Sequence, residues 1–206
     1  MMLTSLKALR PAVLRGLGIA LTVLTLTACA VQVPVTVSPT FIDRPPPPMT
    51  PAAAALAPPP CGLNIVQVVD ARRVPGTLGV VAGRSVKSPD DPVAWLTSIL
   101  GGLNARGFTV TFDKTQTEPP ATGGLVANVS LTSAWLTDSM TNKIANVVLH
   151  VSVRRAGFDT YERDYRGSLT RMNWASTESE LEKLADDAFA VALDDMGREL
   201  RALCKV

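Results

Sequence analysis

The sequence predicts an α+β fold: a two-layer sandwich of one mostly antiparallel sheet with two helices on one face, in the order β-α-β-β-β-β-α. Three observations carry this expectation. Between residues 125 and 169, apolar residues recur at every second position in three successive runs, as in strands with one packed face and one wet face. Two other segments, 90–106 and 177–203, repeat apolar residues at helical spacing. The segment 61–206 is also long enough for one domain with its own core.

The chain opens on a targeting segment. Lys7, Arg10 and Arg15 give positive charge with no acidic residue, and residues 17–26 form an apolar run too short to cross a hydrocarbon layer of about 30 Å. Leu26-Thr27-Ala28 then leads directly into Cys29. That arrangement resembles the bacterial lipobox, whose cysteine is thioether-linked to diacylglycerol and becomes the mature N-terminus. The alternative is a plain secretory signal with a chance cysteine. On the resemblance, residues 1–28 are a cleaved signal peptide. Lipidation of Cys29 then anchors the mature protein on a membrane without a transmembrane helix. Ala30 stands where an Asp would favour the inner membrane, so it points to the outer membrane, on the periplasmic side.

Residues 29–60 read as the lipidated N-terminus and a tether. Ten of the sixteen prolines fall between positions 31 and 60, including Pro45-Pro46-Pro47-Pro48 and Pro58-Pro59-Pro60. Proline fixes φ and removes backbone donors, so the segment is expected to stay out of any sheet. As a polyproline-II spacer of about 3.1 Å per residue it would reach on the order of 90 Å.

Charge and cysteines narrow the class. Losing Lys7, Arg10 and Arg15 takes the whole chain's formal +2 to −1, which excludes a general nucleic-acid binder. With Cys29 set aside, Cys61 and Cys204 remain in an oxidising compartment and are expected to form a disulfide. Metal ligation or a reactive thiol are the other readings. His150 is the only histidine and no CxxC spacing exists.

Within the domain, residues 63–69 read as a buried first strand, followed by Asp70-Ala71-Arg72-Arg73 and a Gly-rich loop to about Pro89. Asp90-Asp91-Pro92 starts a helix with Leu96, Ile99, Leu100 and Leu103 on one face. Gly107 stops that helix and Gly101-Gly102 weakens its middle. A strand over 108–112 completes a connection long enough for a parallel crossover. Leu125, Ala127, Val129, Leu131 and Trp135 then mark the packed face of a strand. After a turn over 138–142, Ala145, Val147, Leu149, Val151 and Val153 do the same, and past Ala156-Gly157 so do Tyr161, Tyr165 and Leu169. Thr177 and Glu180 fit a capping box for the last helix, whose stripe is Leu181, Leu184, Ala188, Val191, Ala192, Met196, Leu200 and Leu203.

The sequence offers no catalytic residue, no metal set and no cofactor motif. His150 falls on the wet face of its strand. Asp186-Asp187 and Asp194-Asp195 are expected to solvate the outer face of the last helix. Arg154, Arg155, Arg163, Arg166 and Arg171 are expected to pair across strands with Asp159, Glu162 and Asp164. Asp70, Arg72 and Arg73, at a strand end beside a long loop, are the candidate contacts for a ligand or partner. A turn with a local ion pair is the other reading.

The lipobox, the strand leading into Asp70-Ala71-Arg72, Ala105-Arg106-Gly107-Phe108-Thr109-Val110, residues 161–168 and the terminal helix together resemble the YajG-like bacterial lipoproteins. The Pro-rich spacer and the Cys61/Cys204 pair depart from that pattern. The resemblance brings no catalytic residue. It implies a non-catalytic outer-membrane lipoprotein, bound to the membrane through Cys29. The tether, the exposed sheet face and the missing active site favour an adaptor or accessory subunit of an envelope complex, serving a protein partner in lipid transport or envelope maintenance. The alternative is a small-ligand or glycan-binding module using the loop 70–89.

Overall fold

The structure, a computed structural model, describes residues 60–121, 123–172 and 177–204, and the backbone of Val35–Thr36. The signal segment, Cys29 and the remainder of the tether lie outside the described residues. One sheet holds eight strands: β1 (Val35–Thr36), β2 (Cys61–Asp70), β3 (Thr77–Val81), β4 (Arg84–Lys87), β5 (Phe108–Thr111), β6 (Leu125–Ser139), β7 (Asn142–Arg154) and β8 (Tyr161–Met172). Two helices, α1 (Pro92–Gly101) and α2 (Glu178–Cys204), complete an α+β fold of the expected class.

The sheet is arranged about β6. One edge of this 15-residue strand pairs antiparallel with β7, which pairs antiparallel with β8. The other edge is shared: residues 125–131 run parallel to β2, and Leu136 lies opposite Gly79 of β3. β5 is parallel to β2 on its far side, as a crossover through α1 requires. The sheet is therefore mixed at its centre and antiparallel toward β8.

A bulge between Leu131 and Ser133 corrects one face assignment. Before it, Leu125, Ala127, Val129 and Leu131 face the core. After it the inward residues are Ala134 and Leu136, and Trp135 is turned outward, 42% exposed. One extra residue reverses a period-two pattern, which strict alternation does not anticipate.

The stretch expected as a Gly-rich loop contains the hairpin β3–β4. Its turn residues Ala82 and Gly83 both have positive φ, 51° and 73°, the hand that suits a two-residue hairpin. Gly79 is obligatory there: a Cβ on it would lie 1.9 Å from the Leu136 carbonyl oxygen. The tether also departs from expectation, because Val35–Thr36 pairs parallel with Val86 and Lys87 of β4. Proline bars a central strand, but two residues between Pro34 and Pro39 serve at a sheet edge.

Both helices contribute to one core, where the Trp95 ring meets Phe189 edge-on at 5.0 Å. The first ends at Gly101, earlier than expected, and a 3-10 turn (Asn104–Arg106) leads to Gly107 at φ 87°. The two glycines thus end the helix instead of weakening its middle. Helix α2 buries a stripe that adds Ala185, Phe189, Leu193 and Gly197 to the predicted residues and leaves Val191 and Leu203 half-buried at its margins. Its backbone rests on β8 at Gly167, where a Cβ would stand 1.8 Å from the Ala188 carbonyl oxygen.

Candidate functional site

The first candidate lies where β2 leaves β6, at Asp70 opposite Leu131. Arg72 Nε donates to Asp70 Oδ1 and Nη2 to Oδ2, both at 2.7 Å, a bidentate fork. The same guanidinium donates to the carbonyls of Thr77 (3.3 Å) and Pro75 (2.9 Å) and to Ser88 Oγ (2.9 Å). Burial alone would raise the Asp70 carboxyl, but the hydrogen bonds and charge of Arg72 outweigh it and hold the group below its ordinary range. Asp70 and Arg72 are therefore spent internally, as the reading of a turn with a local ion pair has it, and not as contacts for a ligand or partner. With side chains only 7% and 4% exposed, they clamp the end of β2 to the hairpin. Arg73 remains on the surface.

Beside this clamp, Pro75, Gly76, Lys87, Pro89, Asp90 and Pro92 line an open groove of about 440 Å³. Asp91 caps α1 there, its carboxylate accepting from the Ala94 amide at 2.8 Å. The groove floor is thus built from a turn, a strand end and a helix start, and Lys87 and Asp90 give it both charges.

The second candidate is the sheet face away from the helices. Trp135, Asn146 and Ser168 stand in one row across β6, β7 and β8, with Ser168 Oγ donating to Asn146 Oδ1 at 2.8 Å. Two rows away, His150 Nδ1 lies 3.0 Å from Asp164 Oδ1, with Ser130 on the neighbouring strand. His150 is on the wet face, where alternation puts it. Trp135 was missed as a surface residue, and only the unpredicted bulge exposes it.

The arginines pair differently from expectation. Arg163 reaches Glu199 of α2 at 3.0 Å, Arg171 binds Asp187 of α2, Arg154 reaches Glu118 at 3.6 Å, and Arg155 donates to the Leu203 carbonyl. They bind strands to the helix and loop; Arg166–Asp164 alone stays within β8, at 3.4 Å. The paired aspartates are likewise not simply a solvated face. Asp194 accepts from Arg106 at 2.7 Å, and Asp186 is half-buried with its Oδ1 lacking a hydrogen-bond partner. Burial, then the negative charges of Glu182 and Asp187, push its carboxyl up to about 7. Among the described residues no three His, Cys, Asp or Glu are grouped to hold a metal ion.

Cys61 and Cys204 are joined by a disulfide, with Cα atoms 6.2 Å apart. It brings the start of β2 to the end of α2.

No protein-family model matches the chain, and no curated protein matches it. Similar solved structures include an uncharacterized protein with a TM-score of 0.48, 15% identical, covering 69% of this chain and 94% of that one. Another is a Xanthomonas campestris protein of family DUF330, with a TM-score of 0.43 and 8% identity over 68% and 82% of the two chains. A third is the minor lipoprotein from Acinetobacter baumannii, with a TM-score of 0.37 and 11% identity over 69% and 89%. At these values the chain is similar to them in outline, and neither a family nor an activity follows.

Proposed function

We propose that this chain is a non-catalytic bacterial lipoprotein of the outer membrane. Anchored through Cys29 on the periplasmic side, its folded domain would serve as adaptor or accessory subunit of an envelope complex in lipid transport or envelope maintenance. The observation that carries the adaptor reading is Trp135, a large aromatic presented by a bulge on an open sheet face among hydrogen-bonding neighbours. Such aromatics are the usual anchors of protein interfaces. The anchoring half rests on Leu26-Thr27-Ala28-Cys29.

Two measurements test it. Cys29→Ser should abolish fatty-acid labelling and release the protein from the outer-membrane fraction; a variant that still floats with outer membranes, with no labelled fatty acid on the native protein, removes the anchoring half. Crosslinking in cells followed by detergent pull-down should return a stable protein partner that Trp135→Ala loses. The groove of about 440 Å³ beside the hairpin favours a second reading, a small-ligand or glycan-binding module. Co-purifying lipid or glycan, lost on blocking the groove with Gly76→Trp and indifferent to Trp135→Ala, would decide for it.

A further inference from the structure

Strand β8 closes the sheet on one side, paired with β7 along its whole length. The opposite borders are short or partly covered: β5 has four residues, and β1 pairs with β4 at Val86 and Lys87. Among the described residues no further backbone hydrogen bond reaches β8. An open edge of 12 residues is a template for another strand.

Charged residues commonly blunt such an edge, and Glu162, Arg163, Asp164 and Arg166 are all exposed here. Their order, however, complements itself. In an antiparallel pair, opposed residues share a face, so a symmetric pair of identical strands must have its two-fold axis at a residue. With the axis at Tyr165, Asp164 lies opposite Arg166 of the second copy and Arg166 opposite its Asp164. Both pairs fall on the face away from the helices, and Glu162 meets Ser168. An axis at Asp164 or at Arg166 sets that residue against itself. An axis at Arg163 sets Glu162 against Asp164, and one at Gly167 loses both Asp–Arg pairs. The internal Arg166–Asp164 contact, 3.4 Å between exposed side chains, is weak enough to be exchanged.

We propose that β8 pairs antiparallel with β8 of a second copy in the register centred on Tyr165, giving a two-fold dimer with one continuous sheet. The test uses the full chain in detergent. In Glu162→Cys/Ser168→Cys the two new thiols face each other only between copies. Within one strand they are about 20 Å apart, too far to bridge. Mild oxidation should give a covalent dimer, and the shifted control Glu162→Cys/Thr170→Cys should give none. In sedimentation, Asp164→Arg should weaken the dimer at least about tenfold, and Asp164→Arg/Arg166→Asp should restore it. A monomer at all concentrations, crosslinking in the control register, or crosslinking only to a different protein overturns the proposal.

Discussion

Four hydrogen bonds converge on the side chain of Asn64, buried in β2. Its Nδ2 donates to the carbonyls of Asp113 (2.8 Å) and Gln116 (3.0 Å), and its Oδ1 accepts from Thr111 Oγ1 and the Asp113 amide, both at 2.9 Å. The whole amide is satisfied, and it holds the loop after β5 in place. Asn64→Leu should cost about 2–3 kcal/mol in urea unfolding, because it strands buried loop groups without partners; a midpoint shift of a few tenths would show that water replaces the amide. Nothing in the sequence marks Asn64, since its partners lie some 50 positions away. The arginine clamp was half legible: Asp70-Ala71-Arg72 stood out and a local ion pair was one reading of it, but not that Arg72 also binds Thr77, Pro75 and Ser88 at the base of the hairpin. Asp186 makes a pH prediction. Its carboxyl is raised from 3.8 to about 7, so between those values the folded state holds a proton that the unfolded chain has released. Its contribution to stability is full below about 4 and is lost as pH rises through 7. Asp70, lowered, works in the opposite sense, contributing above its ordinary value and failing as pH drops through the folded one. Asp186→Asn should therefore raise stability at pH 8 by on the order of 1 kcal/mol, a figure discounted for partial exposure, and flatten the decline from pH 5 to 8. Equal melting curves for variant and parent at pH 8 would refute this.

Elements were legible where their period was unbroken. Strand β7 alternates without interruption from Ala145 to Arg154, as its spacing predicts, and the alternation extends back to a buried Lys143. The failures share a cause: the bulge in β6, the hairpin turn at Ala82-Gly83 and the double glycine after α1 are single-residue events that reset a phase. Contact between α2 and β8 depends on another such event, the missing side chain of Gly167. Gly167→Ala forces its Cβ into the Ala188 backbone and should destabilise by about 3 kcal/mol, read as a lower denaturation midpoint. Gly62→Ala, where nothing stands within 4 Å, is the matched control and should be neutral or slightly stabilising. If the two variants melt together, helix and strand are not in the close contact described.

For the whole molecule, composition and spacing sufficed for the class, the crossover and the pairing of Cys61 with Cys204, because each follows from long runs or from counting. They did not suffice for the split edge of β6, a relation among three strands that no local pattern encodes. The disulfide closes a separation of 143 residues, for which loop entropy gives about 5 kcal/mol at most. Cys61→Ala/Cys204→Ala should lower unfolding free energy by about 3–5 kcal/mol and leave far-UV dichroism unchanged at 25 °C. An unchanged free energy would mean that the reduced chain already keeps its ends together.

That bond also sets where tension travels. Tension arriving through the tether, once the two-residue pairing of β1 with β4 has given way, loads the domain at Pro60, directly before Cys61. Unbridged, β2 would be drawn away from β5 and β6, its ladders giving way in turn. Bridged, the pull passes at once into the last turn of α2, which is tied to β8 along its length at Glu199 and at Asp187, so the load becomes shear across both layers. From Cys61 onward the folded domain then acts as a link in a chain, and the first joint to part under force is the short pairing of β1 with β4.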